Sequence, residues 1–312
     1  MTMVRRWGLT WWSALAVLLV AVPMAVHPDL RSDVLGDFAV LFLVSWGPML
    51  VGGLLAWALV RSLGARDALD RRIAAAMVGH PLGRELAWLA VCLGAFILSM
   101  VVLSLFFGMY EATIGADLAM SASLVSRLLF LFTLPLLVMD RSGVTIDGKG
   151  TAMPSLALKV TEGWRWSGLA PVGLALGLIA YLLVPYTGLP PVSFPLVGFV
   201  LAFAFVAVCE EIFFRGMVQT RLEILMGRWG GILATSVVFA LTYAVIQPYD
   251  AVSQLTGVDF VYDTGLSLLT YATAGAFYGY LWACFRNTWL NVLMRIGMFV
   301  VIMPPDLQIG IT

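Results

Sequence analysis

The stretch Val208-Cys209-Glu210-Glu211-Ile212-Phe213-Phe214-Arg215-Gly216 sets two acids and an arginine inside an apolar run covering residues 195–226. Crossing a bilayer takes about 20 such residues. Backbone groups in hydrocarbon must bond internally, which leaves helices or a closed barrel. A barrel would show short alternating segments, whereas this run is continuous, so it reads as a helix.

Working outward, eight more apolar runs appear, at about 8–26, 38–60, 86–108, 124–139, 167–187, 230–246, 264–285 and 288–303. The fold class is all-α, a polytopic transmembrane bundle of about nine spans. Composition agrees: 61% of the 312 residues are apolar and 12% charged, against about 25% charged in soluble domains. The first run follows Arg5-Arg6 and resembles a signal peptide, but Trp11-Trp12 and the many later spans favour a retained anchor.

Loop charges orient the bundle. If Arg5-Arg6 face the cytoplasm, alternate loops carry Arg61, Arg66, Arg71, Arg72 and Arg84, then Arg141, Lys149, Lys159 and Arg165, then Arg221 and Arg228, then Arg286. The opposite loops carry Asp29, Asp33 and Asp37, then Glu111 and Asp117, then Asp250, Asp259 and Asp263, then Asp306, with Arg31 the one exception. Basic loops stay on the cytoplasmic side. The expectation is a multi-pass protein of the bacterial inner (plasma) membrane with its N-terminus cytoplasmic.

Few ionisable residues remain at membrane depth: Glu210, Glu211, Arg215, Arg295 and Arg127, the last near a helix end from which it can snorkel outward. A charge in mid-bilayer costs about 3 kcal/mol or more, so each needs a reason. Glu211 and Arg215 are four apart and share a helix face. Glu210 points along the line of Phe203, Ala207, Phe214 and Met217, without a cation on its own helix. Gly227-Arg228-Trp229-Gly230-Gly231 reads as a hairpin turn. Glu211 lies sixteen residues before Gly227 and Tyr243 sixteen after. At about 1.5 Å per residue both sit roughly 24 Å from the turn, level with each other. Arg295, on the last span, is the candidate counter-ion for Glu210.

Cys92, Cys209 and Cys284 lie in apolar runs without ligand spacing and read as core residues. His27 and His80 read as loop residues with nothing nearby to suggest a site. Gly173-x-x-x-Gly177 and Gly275-x-x-x-Gly279 allow close helix contact.

The run Glu210-Glu211-Ile212-Phe213-Phe214-Arg215-Gly216 resembles the first motif, Glu-Glu-x-x-x-Arg, of the CPBP (Abi, or CAAX-protease-like) family, which includes type II prenyl-protein endopeptidases. The resemblance covers residues 195–303 and implies a membrane domain there, with 1–190 supplying spans of unknown role. In the family, the first glutamate and a histidine of a Phe-x-x-x-His motif activate water. A second histidine, with an asparagine four residues on, stabilises the oxyanion. Here the second motif reads Phe239-Ala240-Leu241-Thr242-Tyr243, and the third, matched through Arg286-Asn287-Thr288-Trp289-Leu290, puts Arg295 and Phe299 at those positions. Both histidines and the asparagine are replaced.

Tyrosine, with a pKa near 10, is a poor base at neutral pH. Arginine stays protonated. The site residues Glu210, Glu211, Arg215, Tyr243 and Arg295 therefore read as a degenerate catalytic set, whose expected function is binding with weak or absent proteolysis. The alternatives are a glutamate-dependent intramembrane protease acting on membrane-associated peptides and a proton-coupled transporter. No cofactor is expected, and zinc is not expected without site histidines. The expected partners are membrane lipid and a membrane-anchored peptide or partner membrane protein, with no nucleic acid.

Overall fold

Every regular element among the described residues is helical. The computed structural model describes residues 2–36, 38–64, 66–107, 109, 121–141, 158–247 and 260–303. In chain order the main helices are α1 (Thr2–Val26), α2 (Pro28–Gly36), α3 (Phe42–Leu63), α4 (Arg66–Ala76), α5 (Leu82–Phe107), α6 (Ser121–Val138), α7 (Gly163–Thr187), α8 (Leu196–Met226), α9 (Arg228–Ile246), α10 (Thr273–Phe285) and α11 (Thr288–Ile302). A lead-in helix, Phe260–Ser267, joins α10 through the π-helical turn Leu268–Ala272.

Each of the nine apolar stretches falls on a helix. By length and composition, six helices among the described residues, α3 and α5 to α9, are long and apolar enough to cross a membrane. A seventh is reached if α1 and α2, bent by 108° to each other, form one broken span. The last helix, α11, has 15 residues, short of the ~20 that a full crossing takes. It is held among other helices instead. Asp37, Glu111, Asp117, Lys149, Asp250, Asp259 and Asp306 lie outside the described residues, so the charge alternation is seen only in part.

The helix sides show which solvent they meet. Leu54, Leu98, Leu105 and Leu201 are each more than half exposed on the outer faces of α3, α5 and α8. In water such broad apolar faces are a liability; in lipid they are the normal exterior. Inside, two apolar clusters fill the bundle. One joins α3, α7, α10 and α11 around Ala175, Leu281 and Met294. The other joins α5, α6, α8 and α9 around Phe96, Phe214 and Phe239. Helix α8 packs on both α6 and α11, so it lies where the clusters meet.

Two details of sequence set the local geometry. Gly227, with φ of 80°, makes the sharp turn between α8 and α9. Only glycine adopts that region without strain. Gly275 and Gly279 let α10 lie against Ser236, Ile232 and Gln219, where an added Cβ at Gly279 would sit 2.9 Å from the Gln219 side-chain oxygen. Gly173 and Gly177 face open space, so only one of the two small-residue motifs is a close helix contact. The three cysteines are free and buried.

Candidate functional site

The acids sit at a change of helical form. Helix α8 is α-helical to Glu211 and becomes π-helical over Ile212–Gln219. All eight π residues are buried. The wider turn re-aims side chains that a regular helix would spread evenly around its axis. Such bulges occur often at functional sites. Helix α6 does the same just after Arg127, over Leu128–Thr133. Tyr271, in the π-helical turn before α10, stacks on Tyr243 with ring centres 4.4 Å apart. Three π segments thus border one cluster of charges.

Glu210 is 1% exposed and both its oxygens are engaged. Oε1 accepts from Arg127 Nε at 2.7 Å. Oε2 accepts from Tyr243 Oη at 2.6 Å and from Arg295 NH2 at 2.5 Å. Arg295 NH2 also donates to Tyr243 Oη at 2.8 Å. The hydroxyl thus donates to the carboxylate while accepting from the guanidinium. Charge-assisted bonds of this length are the strong kind.

Glu211 takes a different set. Its Oε2 accepts from Asn291 Nδ2 at 2.7 Å and lies 3.6 Å from Arg215 Nε. Its Oε1 lies 3.5 Å from Arg295 NH1. Arg295 therefore bridges both acids. The Arg215 guanidinium stands 5.3 Å from the centre of the Phe239 ring, an arrangement that offers cation–π attraction. Three arginines face two glutamates, so the cluster carries one excess positive charge when all are ionised.

The structure therefore brings Glu210, Glu211, Arg215, Tyr243 and Arg295 together in one buried group. Arg295 is the counter-ion of Glu210, as its place on the last span suggests, and Arg127 is a second one, at 2.5 and 2.7 Å respectively. Arg215 lies on the same face as Glu211, but at 3.6 Å its contact is the longest in the set. Arg127 does not snorkel outward. It is 1% exposed, anchored by Glu210 and by the Ser123 hydroxyl one turn earlier. Only its spacing from Ser123 on α6 hinted at this, and no sequence rule says which helix faces α8. Asn291 was missed too: it lies four residues before Arg295, one turn along the same face of α11. Phe299, at the position of the family's asparagine, stacks on Phe203 instead.

A second buried charge group was also missed. His80 Nδ1 lies 2.7 Å from Glu85 Oε1, and Glu85 Oε2 accepts from Arg221 Nε at 2.5 Å. His80 lies in the connection between α4 and α5, as its sequence suggests, whereas Arg221 is on α8; both are buried, as is Glu85. Apolar periodicity carries no signal for a histidine held under a helix start by a carboxylate five residues on. Among the described residues, no three or more of His, Cys, Asp and Glu gather as metal ligands.

Fold and site together define a multi-pass helical membrane protein whose last third encloses a Glu-Glu-x-x-x-Arg cluster. In comparison, residues 191–301, about a third of the chain, match the family model for Type II CAAX prenyl endopeptidase Rce1-like proteins. This part of the chain is CAAX-protease-like, in agreement with the resemblance to the CPBP family read from its motif. No curated protein and no solved structure matches the chain.

Proposed function

We propose that this protein is a degenerate relative of CAAX-type intramembrane endopeptidases, using its membrane domain to hold a membrane-anchored peptide or partner protein without cutting it. The observation that carries this reading is the state of Glu210. A general base needs a free lone pair aimed at water and a pKa near the working pH. Glu210 has both oxygens tied to donors, and two of those donors carry fixed positive charge. The lone pairs that a base would turn toward water are already engaged by these donors. Tyr243 fills the place of the activating imidazole with a phenol already bonded on both sides.

The test is a cleavage assay on purified protein and on Glu210→Gln, with a membrane-anchored peptide as substrate. Neither should cut above background, while the wild type should retain the peptide in a pull-down. Cleavage by the wild type that disappears in Glu210→Gln would establish the protease instead. The family match favours that second reading, because the first motif is intact. On it, Arg295 or Arg215 would have to stabilise the oxyanion. The multi-pass character is common to both readings. A bacterial inner membrane, with the arginine-rich loops on the cytoplasmic side, is proposed from the charge pattern.

A further inference from the structure

A cleft of about 600 Å³ opens at the end of the bundle that carries the arginine-rich loops. That volume lies within the range of about 300–1,000 Å³ typical of ligand sites. Its walls come from three parts of the chain: Asp70 on α4, Glu223 at the end of α8 with Arg228 and Trp229 just past the hairpin turn, and Arg286 after α10. None of these belongs to the Glu210 cluster.

The charges in the cleft are of both signs. Arg228 NH2 pairs with Asp70 Oδ2 at 2.9 Å, and both side chains are about one-third exposed, at 35% and 36%. Arg286 NH2 pairs with Glu223 deeper in, with side chains 4% and 8% exposed, and the other Glu223 oxygen accepts from Gln219 Nε2 at 2.7 Å. Arg286 has a further feature: its Nε and NH1 have no hydrogen-bond partner. Five fixed donors serve one partner, and buried donors left unmade are costly. Arg66 adds one more cation, its Nε 3.5 Å from Asp70 Oδ2. At the rim, Trp229 is 59% exposed and stacks on Tyr280 with ring centres 5.6 Å apart. Amphipathic aromatics of this kind collect at the headgroup level of membranes.

From this arrangement we infer that the cleft binds the headgroup of a zwitterionic phospholipid that carries a primary ammonium group. Position gives the first reason. The hairpin tip between two spans and the polar helix α4 bracket the cleft, and both lie where hydrocarbon gives way to headgroups. Charge gives the second. A phosphate takes the guanidinium side, with Arg228 at the rim and the unused donors of Arg286 beneath it. An ammonium takes the carboxylate side at Asp70, the exposed acid of the cleft, and its N–H donors suit a carboxylate. A purely anionic headgroup would leave Asp70 opposed to it. A quaternary ammonium would bring no donors.

Native mass spectrometry of the detergent-solubilised full chain tests this, with phosphatidylethanolamine, phosphatidylcholine and phosphatidylglycerol as probes. The expected order is ethanolamine tightest by about fivefold, equivalent to about 1 kcal/mol. Asp70→Asn should abolish the preference for ethanolamine over glycerol, and Arg228→Gln should weaken all three. Two further arms, inorganic phosphate and soluble phosphoethanolamine, separate a lipid site from a phosphate site. Phosphoethanolamine should displace the lipid and inorganic phosphate should not. Equal binding of the three lipids, displacement by phosphate alone, or an unaltered preference in a folded Asp70→Asn protein would each overturn the assignment. A thermal melt confirms that each variant is folded, and the two substitutions fail independently.

Discussion

At the scale of single residues, the account turns on a carboxylate with more partners than a base can tolerate. Removing one partner of a buried ion pair leaves an uncompensated charge and costs about 3–5 kcal/mol. Arg295→Ala should therefore lower the thermal midpoint in detergent markedly, because Arg295 touches both acids. Tyr243→Phe removes only a hydroxyl that bonds on both sides. Its expected cost is smaller, about 1–3 kcal/mol for the groups left unsatisfied, measured by the same melt. The residues that were readable in advance were those tied together by helical spacing: Glu211 with Arg215, and Glu210 level with Tyr243 across one tight turn. Arg127, Asn291 and His80 were not, because each depends on which helices become neighbours. Apolar periodicity says that a face is buried, without saying against what.

At the scale of elements, helix termini and glycines set how the helices meet. Asn287 caps α11, its side-chain oxygen accepting from the Trp289 amide at 3.0 Å. Asn287→Ala should destabilise by about 1 kcal/mol, the usual worth of such a cap, and a melt against the parent protein checks it. The two glycine motifs give a paired test. Gly279→Val forces a side chain into Gln219 and Ile232, and overpacking of this sort costs about 1–3 kcal/mol. Gly173→Ala meets nothing within 4 Å and should be neutral or stabilising by up to about 1 kcal/mol, from helix propensity alone. Both motifs have the same spacing in sequence, so the difference between them could come only from the packing. The π-helical turns were likewise invisible in the amino-acid pattern. The 3.6-residue periodicity of an apolar helix is unmarked by one wider turn when every residue in that turn is buried.

At the scale of the molecule, charges outside the spans tie the loops to the bundle. Glu162 stands just before α7 and accepts from Arg72 and, at 3.0 Å, from Arg165. The hydrogen bond from Arg72 is the main cause that holds its carboxyl down at about 2, against about 4.3 in an unfolded chain. The group is depressed, so its stabilisation is fully present above the unfolded value and is lost as pH falls toward 2. Wild type and Arg72→Gln should differ in thermal stability at neutral pH and converge between about pH 4 and pH 2. A difference that persists unchanged into acid would rule out this linkage. The class of the whole molecule was legible in its apolar runs, since run length against bilayer thickness is a simple comparison. The setting of α11 was not legible: it is wrapped by α7, α8 and α10 and carries Arg295 and Asn291 into the core.

The central claim is that Glu210 is one half of a structural ion pair. A double-mutant cycle of Glu210→Gln and Arg295→Met, read as unfolding free energy in detergent, measures that pairing directly. The expected result is that each single change destabilises by several kcal/mol and the double change by far less than their sum, with a coupling of about 2–3 kcal/mol. Additive effects, with no coupling between the two positions, would contradict it.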